Sequence, residues 1–144
     1  MIAVDTNILV YAHREDAPEH AKALSALSEL AEGQVAWALP VFVLAEFLRV
    51  VTHPNMTWPT KAPEAIAKLD RLLDSPSLQL LFPGNRYWAI LKEVALEAAV
   101  KGNLFIDAQI VAVCLEYGAT TILTEDRDFR RFSGITVQRL PSKI

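Results

Sequence analysis

One cysteine stands in the whole chain, Cys114. That excludes an intrachain disulfide framework and any zinc site built on cysteines. It lies in the apolar stretch Ile110-Val111-Ala112-Val113-Cys114-Leu115 and reads as a buried small hydrophobe, compatible with a reducing compartment. Histidine is nearly as scarce. His13, His20 and His53 have no partners at zinc-ligand spacing and read as surface or loop residues. The glycine patterns of a phosphate-binding loop, a dinucleotide fold or a nucleophile elbow are absent. No apolar run reaches membrane-spanning length, since charges or prolines interrupt each candidate. The opening Met1-Ile2-Ala3-Val4-Asp5 has no basic segment and is broken by Asp5, so it does not read as a signal peptide. The expectation is a soluble, cytoplasmic protein without membrane contact. Nor is positive charge in excess. A formal net charge of −3 excludes a globally basic nucleic-acid binder while leaving room for a local basic groove.

What is present is apolar residue. At 144 residues the chain suits one domain, taken as residues 1–144, able to bury a core without disulfide or metal staples. An apolar share of 52% is high for that size. It fits either an Ala- and Leu-rich helical core or a surface reserved for a partner or second copy.

Short apolar runs at Ile2–Val4, Val35–Leu39, Leu78–Phe82, Thr120–Leu123 and Ile135–Val137 read as strands. Between them fall helical patterns. One is short, over Ile8–Ala12. A second carries Ala21, Leu24, Leu27, Leu30 and Ala31 and is stopped by Gly33. A third is opened by Pro40 and runs through Val51, and a fourth carries Ala65, Leu69 and Leu72. A fifth is capped by Asn85, with Trp88, Leu91, Ala95 and Ala98 as its apolar face and Gly102-Asn103 as its end. The last spans Ile106–Tyr117 and stops at Gly118. His53–Pro63 reads as a proline-punctuated loop and the tail from Pro141 as frayed. Alternating strands and helices predict an α/β domain, with a mainly parallel central sheet covered on both faces.

Asp5 and Asp126 each follow a strand, at the sheet edge where α/β domains bind ligands. Glu46 and Asp107 interrupt largely apolar helices, where a lone carboxylate is costly to desolvate. Each also has an ordinary structural explanation. Asp5 could cap a helix, Asp107 could complement a helix dipole, Glu46 could face solvent or pair with Arg49, and Asp126 and Asp128 could be turn acids. A single divalent-cation site would account for all of them, because a hard cation removes the repulsion among clustered carboxylates.

These residues carry a family resemblance. Val4-Asp5-Thr6-Asn7-Ile8-Leu9 resembles the start of PIN-domain proteins. Leu44-Ala45-Glu46-Phe47-Leu48-Arg49-Val50-Val51 is similar to their glutamate helix, Ile106-Asp107-Ala108-Gln109-Ile110 to their third acidic motif, and Thr124-Glu125-Asp126-Arg127-Asp128-Phe129 to their last. The size resembles the VapC toxins of bacterial toxin–antitoxin pairs. The resemblance implies a three-layer α/β/α fold and a metal-dependent endoribonuclease. It places Asp5, Glu46, Asp107 and Asp126 around Mg²⁺ or Mn²⁺, with Asp128 as a further metal-site acid. Thr6, Asn7 and Thr124 would orient carboxylates or water. It also implies an RNA substrate, a cognate antitoxin that blocks the acidic groove, and a homodimer. Arg14, Arg49, Arg86, Arg127, Arg130 and Arg131 are candidates for phosphate contact. Trp58 could stack a base, whereas Trp88 reads as core. Alternatives are a PIN-fold RNA-processing nuclease outside a toxin–antitoxin pair, or a non-catalytic RNA- or protein-binding module. A receiver-like phosphotransfer domain is disfavoured, because Asp5-Thr6-Asn7 lacks the paired acids expected after its first strand.

Overall fold

A computed structural model describes residues 1–142. Five strands form one sheet: β1 (Ile2–Val4), β2 (Trp37–Pro40), β3 (Leu78–Leu81), β4 (Thr121–Leu123) and β5 (Thr136–Gln138). Their order is β3-β2-β1-β4-β5 and every pairing is parallel, so the mainly parallel sheet expected is wholly parallel among the described strands. Six helices connect them: α1 (Thr6–His13), α2 (His20–Glu32), α3 (Phe42–Val51), α4 (Ala62–Leu73), α5 (Tyr87–Glu97) and α6 (Leu104–Glu116). Helix α1 packs on both α2 and α3, α3 packs on α4, α5 and α6 pack together, and α6 lies against β2, giving the three layers. The core centres on β2, all four residues of which are buried, and on α6, where Ala108 and Ile110 through Cys114 are buried. Burial pushes the Cys114 thiol up to about 12, as suits a packing residue.

Strand order decides where a site can form. The first three strands add outward from β1 to β3, and the chain then crosses back to place β4 on the other side of β1. The direction of winding therefore reverses between β1 and β4, and the crevice beyond their carboxyl ends is open. Asp5 leaves the end of β1 and Thr124 the end of β4. The two ends are tied by the Asp5 N–H donating to the Leu123 carbonyl at 3.0 Å.

Several expected boundaries move, each for a local reason. Pro40 ends β2 instead of opening a helix. It lies beyond Ala38, the last residue paired with β1, so no partner on that side needs its missing N–H. Pro63 is not a breaker but sits in the first turn of α4, where its N–H is dispensable. Asn85 does not cap α5. The Glu116 carboxylate, at the end of α6, accepts from the N–H groups of Gly84 (2.8 Å) and Arg86 (3.0 Å). Helix α5 ends at Glu97, before Gly102. There Ala99 takes φ 51°, and Val100 N–H donates to the Ala95 carbonyl at 3.0 Å, a left-handed stop made without glycine. Gly118 closes α6 the same way at φ 74°, with Ala119 N–H on the Cys114 carbonyl at 2.9 Å. Trp88 is not core. It is 64% exposed, at the margin of a core-facing stripe that runs through Ile90, Leu91, Val94, Ala95 and Ala98 and so keeps the other three residues expected on it. His13 is not a loop residue. It ends α1, half-buried, its ring edge-on to Phe47. Of the tail, the chain is docked as far as buried Leu140, and residues 143–144 lie outside those described.

Candidate metal and nuclease site

Asp5 is 5% exposed, and its carboxylate accepts from three donors. Oδ1 accepts from the Thr6 N–H at 2.7 Å, capping α1, while Oδ2 accepts from the Thr124 hydroxyl at 2.7 Å and from Asn7 Nδ2 at 3.3 Å. Thr124, fully buried, is the hub. Besides donating to Asp5, its hydroxyl oxygen accepts from Asn7 Nδ2 and from the Asp126 N–H, both at 3.0 Å. The two strand ends are thereby locked through three side chains. Asn7 Oδ1 in turn accepts from the Glu125 N–H at 3.3 Å. Glu125 itself points away, its carboxylate taken by Arg139 at 3.0 Å.

Glu46 enters from α3. Its Oε2 accepts from the Thr6 hydroxyl at 3.2 Å, and Oε1 lies 3.9 Å from Arg49. Asp107 stands in the first turn of α6, at the positive end of the helix dipole. Asp126 starts the 3-10 turn Arg127–Arg131 and caps it, accepting from the Asp128 N–H at 2.9 Å. Capping and cleft-lining are thus compatible for Asp5 and Asp126, since a carboxylate has lone pairs for both.

One cleft is lined by Asp5, Thr6, Asn7, Glu46, Asp107 and Asp126, with Val10, Tyr11 and Val50 as its walls. Of these, Tyr11 escaped the sequence reading. It sits four residues after Asn7 on the same helical face, a spacing that could have pointed to it. Burial raises the Tyr11 phenol above its usual range, with Glu19 and Glu125 adding to the effect. One oxygen from each of Asp107, Asp126 and Asp128 can be chosen so that all lie within 4.8 Å of one another. Asp5 and Glu46 stand outside that tight group.

The electrostatics follow from burial and crowding. Asp107 is pushed up to about 7, first by burial and then by the charges of Asp126, Asp5, Asp128 and Glu46. Asp5 is pushed up to about 6 by burial, with Glu46 and Asp126 adding to the rise and the hydrogen bonds from Thr124 and Thr6 opposing it. An all-oxygen donor set in which like charges crowd one another fits a hard divalent cation and not a soft one.

The six arginines proposed for phosphate contact divide. Arg14 is engaged by Asp16 and Arg86 by the Glu116 carbonyl. Arg49 lies one turn along α3 from Glu46, 3.9 Å from its carboxylate. Arg127, Arg130 and Arg131 follow Asp126, exposed and without an ion pair among the described residues.

The PIN domain family model matches residues 2–135, which takes in all of these acids. The chain belongs to the PIN-domain family, and within it to the group that holds the VapC proteins. The VapC43 ribonuclease of Mycobacterium tuberculosis is 42% identical over 133 residues, 92% of this chain and 90% of the relative. Ribonuclease VapC48 of the same organism is 33% identical over 135 residues, 93% of each. Among solved structures, VapBC2 of Rickettsia felis, bound to a promoter DNA fragment, superposes with a TM-score of 0.72. It is 23% identical and covers 98% of this chain and 100% of its own. The sarcin–ricin loop-cleaving toxin VapC20 of M. tuberculosis gives 0.67 at 18% identity, covering 90% of this chain and 93% of its own. At those identities the structures speak to the fold. No helix among the described residues is long and apolar enough to cross a membrane.

Proposed function

We propose that this chain is a divalent-cation-dependent endoribonuclease, the toxin of a toxin–antitoxin pair. Asp5, Glu46, Asp107 and Asp126 form its catalytic centre, and Asp128 is a further metal-site acid. The observation that carries the reading is the group Asp107, Asp126 and Asp128, with one oxygen each within 4.8 Å, next to a buried Asp5. Such a group is unfavourable at neutral pH without a cation. The ribonuclease names of the VapC43 and VapC48 relatives support RNA as substrate. The toxin–antitoxin complex from R. felis supports an antitoxin as partner.

Asp107, Asp126 and Asp128 would hold Mg²⁺ or Mn²⁺, with Asp5 and Glu46 closing the site. Bound there, the cation supplies positive charge to activate water and to offset charge building on the phosphate. The chain's own groups do the rest. The Thr124 hydroxyl fixes the Asp5 carboxylate, and the Thr6 hydroxyl orients Glu46. Val10 and Val50 give the cleft apolar walls beside the acids. Residues 1–144 act as one nuclease domain, the homodimer draws on the exposed apolar surface, and the protein works in the cytoplasm.

The test is cleavage of a pool of structured cellular RNAs in Mg²⁺, in Mn²⁺ and in EDTA, beside Asp5→Asn. Cutting that needs the metal and vanishes in the variant is expected. Cutting that survives EDTA or the variant would sink the metal assignment.

A further inference from the structure

A second feature borders the cleft and takes no part in its chemistry. The loop between α3 and α4 carries Trp58, which is 83% exposed and sits at φ 60°. A bulky residue at positive φ is a backbone outlier, held there only when its surroundings over-determine it. Here both flanks are tied. Met56 N–H donates to the His53 carbonyl at 3.0 Å, and the Asn55 N–H donates to His53 Nδ1 at 3.1 Å. On the other side, Thr60 N–H donates to the Val51 carbonyl at 2.8 Å, and the Thr60 hydroxyl shares a 2.7 Å hydrogen bond with His13 Nε2. The indole is thus presented to solvent on a braced support, with little ordering left to lose on contact.

Position relates this support to the cleft. Trp58 lines a hollow with His13, Arg14, Thr57, Thr60 and Lys68. Val10 and Tyr11 line the acidic cleft, and His13 and Arg14 line the hollow, so one helix serves both. The loop is anchored at Val51, next to Val50 of the cleft wall. From Asp5 to Arg14 the chain advances about 13 Å along α1 at ~1.5 Å per residue. That is roughly the reach of three or four stacked nucleotides at ~3.4 Å each.

The chemistry of the hollow selects the occupant. Lys68 lines the hollow without an ion pair among the described residues, while Arg14 is engaged by Asp16. Three acids, Glu15, Asp16 and Glu64, also border the hollow. An apolar protein surface seated here would have to desolvate those charges. A base laid on the indole leaves them in water, and a neighbouring phosphate can reach Lys68.

Resting on the nuclease reading above, we infer that Trp58 is a specificity residue, a platform on which an unpaired RNA base stacks a few nucleotides from the cleaved bond. Trp58→Gly keeps the loop, since glycine accepts positive φ, and removes the ring. Trp58→Phe keeps a ring. Total cellular RNA in Mn²⁺, with fragment ends mapped and rates measured, is the first readout. At the sites wild type cuts, Trp58→Gly should lower kcat/KM roughly ten- to hundred-fold, mostly through KM, and Trp58→Phe should recover most of it. The second readout is binding without turnover. In an Asp107→Asn background, the same RNA should quench the part of the tryptophan emission that Trp58→Phe deletes. Wild-type kcat/KM in Trp58→Gly overturns the inference and assigns the ring to a protein partner instead. A wild type that cuts nothing counts against the nuclease reading alone. The quench then still decides the platform, its presence supporting it and its absence overturning it.

Discussion

Asp5 and Asp107 face the same cleft, yet they are held in opposite ways. Three donors within 3.3 Å engage the Asp5 carboxylate, two of them side chains locked to one another. Among the described residues no hydrogen bond reaches the Asp107 carboxylate, and carboxylates of Asp126 and Asp128 lie beside it. The Asp5 side is a fixed strut joining two strand ends. The Asp107 side keeps its lone pairs free at the expense of repulsion. A site built this way spends stability at one end and recovers part of it at the other.

Paired substitutions would break that contrast most sharply. Asp5→Asn and Asp107→Asn should each lower cleavage by at least about a hundred-fold, the scale of losing a preorganised charge at a reacting phosphate. Their stabilities should diverge. Asn at position 5 presents an amide N–H₂ to Thr124 and Asn7 where a carboxylate oxygen accepted, and should cost about 1–2 kcal/mol. Asn at position 107 removes a crowded charge, so its melting temperature in EDTA at pH 8 should equal or exceed that of wild type. Equal losses of stability in the two variants would erase the distinction.

Thr124→Val keeps the volume and removes the hub. With its hydroxyl gone, Asp5 loses a donor and the Asp126 N–H loses its acceptor. Metal affinity, read by calorimetry with Mn²⁺, should fall about 10- to 100-fold. Since no carboxylate is touched, a loss of that size would show that orientation matters beside charge. A Thr124→Val protein that binds Mn²⁺ like wild type would confine the site to the acids themselves.

How much of this was legible in the chain depends on distance along it. The acids were legible because each lies in a short local motif, Asp5 after a three-residue buried strand and Asp107 at a helix start. The sheet was legible because alternating strands and helices leave few arrangements. Thr124 could be singled out only through its motif, since its contact with Asp5 spans 119 positions. The Glu116 carboxylate that opens α5 was not legible for the same reason, being 30 and 32 residues from the N–H groups it receives. Trp88 misled because helical periodicity gives a stripe, on which Leu91, Ala95 and Ala98 do lie, but not its edges. How far the stripe extends is set by what α6 covers.

Acid titration sharpens the contrast by pH. Asp5 and Asp107 have folded pKa values of about 6 and about 7, above their ordinary 3.8. Between those limits the folded protein holds more protons than the unfolded chain, so these two groups favour folding below about pH 4. That contribution is lost as pH rises through 6 to 7. In EDTA their share of the melting temperature should therefore decline from pH 5 to 8. Mn²⁺ needs the deprotonated forms, so the gain in melting temperature it gives should grow over the same range. A Mn²⁺ increment that stays flat from pH 5 to 8 would mean that neither aspartate takes part in binding.

The smallest expected effect compares free with engaged arginines. Arg127 is exposed beside Asp126 without an ion pair among the described residues, whereas Arg86 donates to the Glu116 carbonyl at 2.7 Å. A phosphate contact releases counterions on binding, so its loss shows in the salt dependence as well as in affinity. Arg127→Ala should raise KM for RNA a few-fold and make the fall of log(kcat/KM) with log[salt] shallower by about 0.7 to 1. Arg86→Ala should leave that slope alone and lower the melting temperature slightly, because it removes a bond that holds the start of α5. A slope that changes with Arg86 and not with Arg127 would move the RNA path off the Asp126 side of the cleft, toward the junction of α5 and α6.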